Sequence, residues 1–147
     1  MAEIRADLTL RGWNANQLRL RVPVIIRAYG DVLDPQLKEE IKTVQFLWPG
    51  TTRRRNGATV GSPRDIVDTG AFLRSQRRDY PDATTLRLTW DVKSPRGFSY
   101  AGLILTGYAT RTGRIMPPRD WITPALTKLP LDRFFAAEWQ RQAGGNR

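Results

Sequence analysis

The chain has 147 residues, 40% of them hydrophobic and 26% charged, which is long enough for one core and too apolar for wholesale disorder. It holds no cysteine and no histidine, so disulfides, thiolate metal sites, the commonest zinc ligand, the commonest general base and every Ser-His triad are excluded. With 24 basic residues against 14 acidic ones the net charge is +10, a balance that favours contact with polyanions or acidic neighbours.

The early apolar run from Val22 to Ile26 is far short of the roughly 20 residues that span a bilayer. No cleavable signal is visible, so synthesis and assembly in a cytoplasm are expected, with no membrane partner. Residues 4 to 10 alternate, with Ile4, Ala6, Leu8 and Leu10 on one face, which predicts a half-buried strand. Gly12 to Asn16 breaks it. Leu18, Leu20 and Val22 then alternate again, giving either a hairpin or the start of a helix running into Val24-Ile25-Ile26. Residues 31–48 predict an amphipathic helix. Asp34 suits the cap, Pro35 the first position, and Leu37, Ile41, Val44 and Trp48 form the apolar stripe, opposite Lys38, Glu39, Glu40 and Lys42.

Residues 49–66 read as a long loop that reaches a neighbouring subunit, with a disordered excursion or an irregular hairpin as the alternatives; Asn56-Gly57 is a turn signal within it. Thr69 is placed as the cap of a short helix through Phe72, Leu73 and Gln76. Thr84 to Val92 alternates cleanly, and Phe98 to Thr106, beyond the Ser94–Gly97 turn, is the expected partner strand. Arg111 to Pro118 forms a basic loop. Trp121 to Leu129 is a short helix or turn with Pro124 confined to its first turn. A final helix covers 130–142, with Leu131, Phe134, Phe135 and Trp139 on one face, and 143–147 is a tail.

The basic residues cluster. Arg53-Arg54-Arg55 is one group and Arg74, Arg77 and Arg78 another. Between Asp91 and Asp120 lie Lys93, Arg96, Arg111, Arg114 and Arg119 with no acid. Arg53, Arg54, Arg55, Arg111 and Arg114 are the candidates for contact with neighbouring subunits or with DNA.

Two segments carry a resemblance. Thr69-Gly70-Ala71-Phe72-Leu73-Arg74-Ser75 is similar to a Thr-Gly-x-Leu-x-x-Ser motif. Tyr100-Ala101, Thr106-Gly107, the loop from Tyr108 to Pro118, Pro118-Arg119-Asp120-Trp121 and Pro124-Ala125-Leu126 follow in matching order. Together, over residues 65 to 130, they resemble the tail-completion (neck, or head-tail joining) proteins of long-tailed bacteriophages. Two positions depart: Leu105-Thr106 replaces the acid before the glycine, and Asp120 stands where proline is usual. The resemblance implies an α+β fold over 1–147 as a single domain. A curved antiparallel sheet is packed by the long amphipathic helix and the C-terminal helix, with long basic loops and a family-like core at 67–129. It implies a non-enzymatic virion subunit without cofactor or metal, forming a ring, commonly a hexamer. Its partners would be a connector or adaptor above and a tail tube or terminator below, with genomic DNA able to pass through the lumen. It gives structural roles to Thr69, Gly70, Leu73, Ser75, Tyr100, Gly107, Arg119 and Trp121.

Two other functions compete. Pro81-Asp82 with Asp91-Val92-Lys93 spells a PD…(D/E)xK nuclease, in which two carboxylates hold Mg²⁺. An unbroken strand between the two aspartates would hold them roughly 30 Å apart, too far for one ion. The arginine clusters also fit sequence-independent nucleic-acid binding, although no zinc-finger, helix-turn-helix or aromatic RNA-binding signature is present.

Overall fold

The computed structural model describes residues 2–4, 15–67, 70–94 and 96–144. Residues 5–10 of the strand expected over 4–10, residues 12–14 of the break expected over 12–16, the Thr69 cap and the last three residues of the tail lie outside them; Ala15 and Asn16 are helical.

One helix organises the rest. Helix α1 runs from Ala15–Thr43 and contains Pro23, Gly30 and Pro35. It absorbs the segment read as either a hairpin strand or the start of a helix, taking the helical alternative, together with the helix expected over 31–48. Asp34 and Pro35 are therefore mid-helix residues rather than a cap and first position, and the helix ends five residues before Trp48. Each internal proline removes one N–H and leaves the carbonyl four residues earlier without a helical donor. The helix persists because its inner face is buried from end to end: Val22, Ile25, Ile26, Tyr29, Leu33, Leu37 and Ile41 are all in the core.

That face meets two clusters. The larger joins Tyr29, Leu33, Leu37 and Ile41 to Phe72, Leu88, Trp90, Val92, Ala101, Ile104, Trp121 and Ala125. The smaller joins Val22, Ile25 and Ile26 to Phe135 and Trp139 of the C-terminal helix. Each large apolar side chain so buried contributes about 1.5–3 kcal/mol.

The fold is α+β, with short antiparallel sheets. In the three-stranded sheet, β5 (Thr85–Trp90) lies between β1 (Ala2–Ile4) and β4 (Gln76–Asp82). Ala2 pairs with Trp90 on one side and Gln76 pairs with Trp90 on the other. Strand β4 has no apolar alternation and only Gln76 is buried. It is an edge strand whose charges and Pro81 blunt further pairing. Gln76 does internal work: its Oε1 accepts from Trp90 Nε1 at 3.1 Å, and its Nε2 donates to the Asp34 carbonyl and to Asp34 Oδ1 at 2.9 and 2.8 Å. Burial pushes the Asp34 pKa up, but hydrogen bonds from Lys38 and Gln76 outweigh it and hold the group below the ordinary aspartate range.

Other elements are short. Helix α2 (Ala71–Arg74) precedes β4, and β2 (Thr52–Arg53) and β3 (Thr59–Val60) form a small hairpin. Residues 101–106, expected as a strand, form helix α3 (Ala101–Thr106). A second hairpin follows from β6 (Tyr108–Ala109) and β7 (Ile115–Met116). Helix α4 (Ile122–Lys128) holds Pro124 in its first turn, and α5 (Leu131–Gly144) packs on the N-terminal half of α1. Glu40, expected on the solvent side of its helix, is buried instead. Its Oε1 accepts from Gln36 Nε2 and from Lys128 Nζ of α4, both at 2.5 Å.

Gly30 shows why a glycine interrupts the α1 core face. A Cβ there would fall 2.4 Å from the Tyr80 hydroxyl, 3.2 Å from Leu86 Cδ1 and 3.3 Å from Arg78 Cδ. In an open helix, alanine would stabilise by about 1 kcal/mol. Here overpacking reverses the sign, so Gly30→Ala should destabilise by about 1–2 kcal/mol in urea unfolding. Tyr80→Phe removes the nearest atom and should recover part of that loss. Additive effects of the two changes would contradict the close approach.

Candidate functional site

The site starts where α1 ends. Phe46 and Arg64 exchange backbone hydrogen bonds at 2.8 and 2.9 Å, closing the base of the intervening segment. Inside it Arg54 N–H donates to the Ala58 carbonyl, Gly57 N–H to the Arg54 carbonyl, and Ala58 N–H to Asn56 Oδ1. Gly57 takes φ 88°, a backbone that side-chain-bearing residues avoid. The stretch expected as a long loop is therefore closed by a hairpin, the alternative reading of those residues.

Trp48 stands beside this hairpin, its amide held by Ser62 Oγ at 2.8 Å and its indole N–H by Thr52 Oγ1 at 3.1 Å. Two guanidinium carbons approach its ring: Arg64 at 3.6 Å and Arg119 at 4.4 Å from the centroid. Such stacking is worth about 0.5–2 kcal/mol per pair, most where water is excluded.

Arg119 is placed by its neighbours in sequence. Its amide donates to the Ile104 carbonyl at 2.9 Å, docking the 117–120 segment on α3. Two residues on, Trp121 is fully buried and meets Phe72 edge-on at 4.8 Å and Trp90 edge-on at 5.4 Å. Gly107 lets the chain double back. It has φ 76°, and a Cβ there would come within 2.7 Å of the Met116 carbonyl and 2.9 Å of Pro118 N. The result is an Arg119 side chain only 3% exposed. Burial lowers its pKa, opposed by the charge and hydrogen bond of Tyr108.

A cavity of about 520 Å³ opens beside Arg119, with Arg55 and Lys93 in its lining together with Trp48, Phe72 and Phe98. A smaller one of about 180 Å³ lies beneath the hairpin. Among the described residues no carboxylate lines the larger cavity. Lys93 keeps a loose ion pair with Asp91 at 3.7 Å, both side chains being exposed.

The predicted contact residues divide. Arg53, Arg55, Arg111 and Arg114 are exposed, on hairpins β2–β3 and β6–β7. The hairpins adjoin: a Cβ on Gly50 would lie 3.0 Å from Arg114 Nη2. Arg54 instead turns inward, 15% exposed, and pairs with Asp65 at 2.7 Å. The 74–78 arginines fold back on their own chain: Arg77 donates to the Arg74 and Gln76 carbonyls, and Arg78 pairs with Asp31 at 2.8 Å.

The motif residues occupy turns and helix ends. Gly70 precedes α2 with φ 74°, half-buried Leu73 lies within that helix, and Ser75 closes it, donating to the Phe72 carbonyl at 2.7 Å. Tyr100 precedes α3 rather than sitting in a strand, and its carbonyl accepts from Ile104 N–H. Asp120 Oδ1 accepts the Ile122 and Thr123 amides at 2.8 and 3.0 Å, capping α4. That is a physical reason for an acid at this position.

The nuclease spelling does not assemble. Asp82 sits at the end of β4, bonded to Thr84 and Thr85, while Asp91 follows β5. The six residues of β5 separate them by about 20 Å. No group of three or more metal-ligating side chains occurs among the described residues, and no described helix is long and apolar enough to cross a membrane.

Arg64, Gln76 and the buried Glu40 were not signalled by the sequence, because each is defined by a partner distant in the chain. Comparisons with protein-family models, with curated proteins and with solved structures find no match.

Asp120 gives a test of this geometry. Burial would raise its pKa, but hydrogen bonds from Thr123 and the Ile122 amide outweigh that and lower it. A lowered folded-state pKa means stabilisation that is present above the unfolded value and lost as pH falls through the folded one. Asp120→Ala should cost about 1 kcal/mol at neutral pH. Its deficit against the parent chain in urea unfolding should close on acidification from about pH 7 to about pH 2. An unchanged deficit would contradict the cap.

Proposed function

We propose that this chain is a structural subunit of the neck of a long-tailed bacteriophage virion, joining head connector to tail by assembling as a ring, commonly of six copies. The observation that carries this reading is the way the resembling segments pack. The resembling segments supply Phe72 of α2, Ala101 and Ile104 of α3, and Trp121 and Ala125 to one buried cluster. They meet around Trp121, Phe72 and Trp90, with the arginine-bearing hairpins at their edge. In this reading the three-stranded sheet is the curved sheet of the family, and the two hairpins are its basic loops. The subunit is non-enzymatic and uses no cofactor.

Arg53, Arg55, Arg111 and Arg114 face a neighbouring subunit, the connector or adaptor above, the tail tube or terminator below, or the DNA path. Exposed guanidinium groups carried on short hairpins suit that role. The same four exposed arginines favour a second reading, sequence-independent nucleic-acid binding, which would weaken steeply with salt.

Replacing all four with glutamine should leave the thermal midpoint close to that of the parent, since surface changes of this kind fall within about 0.5 kcal/mol each. Phage carrying this variant should accumulate filled heads and finished tails that do not join. Normal virions from the variant, seen by electron microscopy of lysates, would count against the proposal. A salt-dependent loss of DNA binding without any assembly defect would favour the second reading.

A further inference from the structure

The chain holds four asparagines, Asn14, Asn16, Asn56 and Asn146, and only Asn56 is followed by glycine. An asparagine side chain is short enough for its carboxamide carbon to reach the next backbone nitrogen and close a five-membered ring. Crowding at that nitrogen, the way the carboxamide is held and the local charge decide whether it does, and hairpin β2–β3 sets all three. Asn56 and Gly57 are both exposed at its turn. A Cβ on Gly57 would meet nothing within 4 Å, so neither a side chain of its own nor a neighbour crowds that side of its peptide. Asn56 Oδ1 accepts the Ala58 N–H at 3.0 Å. That bond folds the carboxamide over the intervening peptide, and it sets a donor on the oxygen that gains negative charge when the carbon is attacked. Arg53, Arg54 and Arg55 precede the turn, and no acid occurs from residue 41 to residue 64. A positive field favours the deprotonated amide that makes the attack.

One contact opposes the reaction. Gly57 N–H donates to the Arg54 carbonyl at 3.0 Å and must let go first. The bond lies in an exposed hairpin whose strands are two residues each, a unit that opens locally at small cost. It slows attack by no more than about tenfold.

We infer that Asn56 is a self-modification site, converted without an enzyme to aspartate and isoaspartate. The Gly57 amide loses its proton to solvent base, and its nitrogen bonds to Asn56 Cγ. The Cγ–Nδ2 bond then breaks, ammonia leaves with a proton returned by solvent, and a succinimide spans residues 56 and 57. Water opens this ring at either carbonyl. Cleavage of the new Cγ–N bond gives aspartate, and cleavage at the backbone carbonyl of residue 56 gives isoaspartate. One amide and one water yield one carboxylate and one ammonia. Either product puts a carboxylate into the arginine hairpin and lowers the chain's net charge of +10 by one. Isoaspartate also lengthens the turn by one main-chain carbon, which strains the Arg54 N–H to Ala58 carbonyl bond. The hairpin of a free chain therefore loses attraction for an anionic partner as the chain ages. The inference goes beyond the neck reading and stands on the chemistry of the turn, whatever the hairpin contacts.

The test ages the full chain in buffers from neutral to mildly alkaline pH. Mass spectrometry follows the tryptic fragment 56–64, which holds one asparagine and no glutamine. The fragment should gain the mass of an amide-to-acid exchange and separate into two forms, one of them a substrate for an isoaspartyl methyltransferase added in vitro. The rate should rise with pH by up to about tenfold per unit, because one proton leaves before attack. It should stay within about tenfold of the rate in an end-blocked peptide of residues 52–60. Asn56→Gln, an exposed change that leaves the fold intact, would need a six-membered ring and should stay unmodified over the same period. An unmodified parent fragment, a rate indifferent to pH, or equal modification of the Asn56→Gln chain would overturn the inference. So would a rate in the full chain more than about tenfold below that of the peptide, since the turn would then shield Asn56.

Discussion

The rest of the structure depends on where Trp121 sits. Fully buried, it meets Phe72 and Trp90 edge-on, and so clamps together the helix before β4, the central strand and the start of α4. Such aromatic contacts add about 0.5–1.5 kcal/mol each beyond the area they bury. The geometric consequence matters more than the energy. Fixing Trp121 fixes the two residues before it, so Asp120 can cap α4 and Arg119 is driven beneath Trp48. Gly107 is the complementary constraint, because only a residue without a Cβ lets α3 turn so close to the Met116 carbonyl and Pro118. The cleft is thus a by-product of core packing.

A second set of contacts holds that unit on α1. Gln76 links the sheet to Asp34 and Trp90, Lys128 reaches the buried Glu40, and Tyr29 donates to the Leu129 carbonyl at 2.7 Å. All three are polar groups at the inner face of one helix, each satisfied by a partner from elsewhere in the chain. Breaking one side of such a buried pair leaves an unmet donor or charge, which costs more than the contact gains. These links therefore fix orientation more than they add stability.

The sequence was most legible where local pattern and tertiary environment agree. Strand β5 alternates because one of its faces meets the core, and α5 carries its apolar stripe because it lies along α1. Reading failed where packing overrode local signals. Pro23, Gly30 and Pro35 look like punctuation, yet the buried face from Val22 to Ile41 carries one helix through all of them. Strand β4 has no apolar alternation to detect, since it is an edge held by pairing with β5 and by a single inward glutamine. The 98–106 run is apolar in either conformation, and periodicity over so few residues cannot separate strand from helix. Of the site, the exposed arginines were legible as charge. The inward turn of Arg54 to Asp65 and the stacking of Arg64 and Arg119 on Trp48 were not, because they need contacts between segments.

The chain has a buried aromatic centre, a sheet edge blunted by charge and two arginine-bearing hairpins that adjoin. Those properties are compatible with the proposed role, in which neighbours hold the chain. The most direct measurement is immunogold electron microscopy of purified virions, using an antibody against this chain. The account predicts gold at the junction between head and tail. Virions without label, from a lysate in which the chain is abundant, would contradict it.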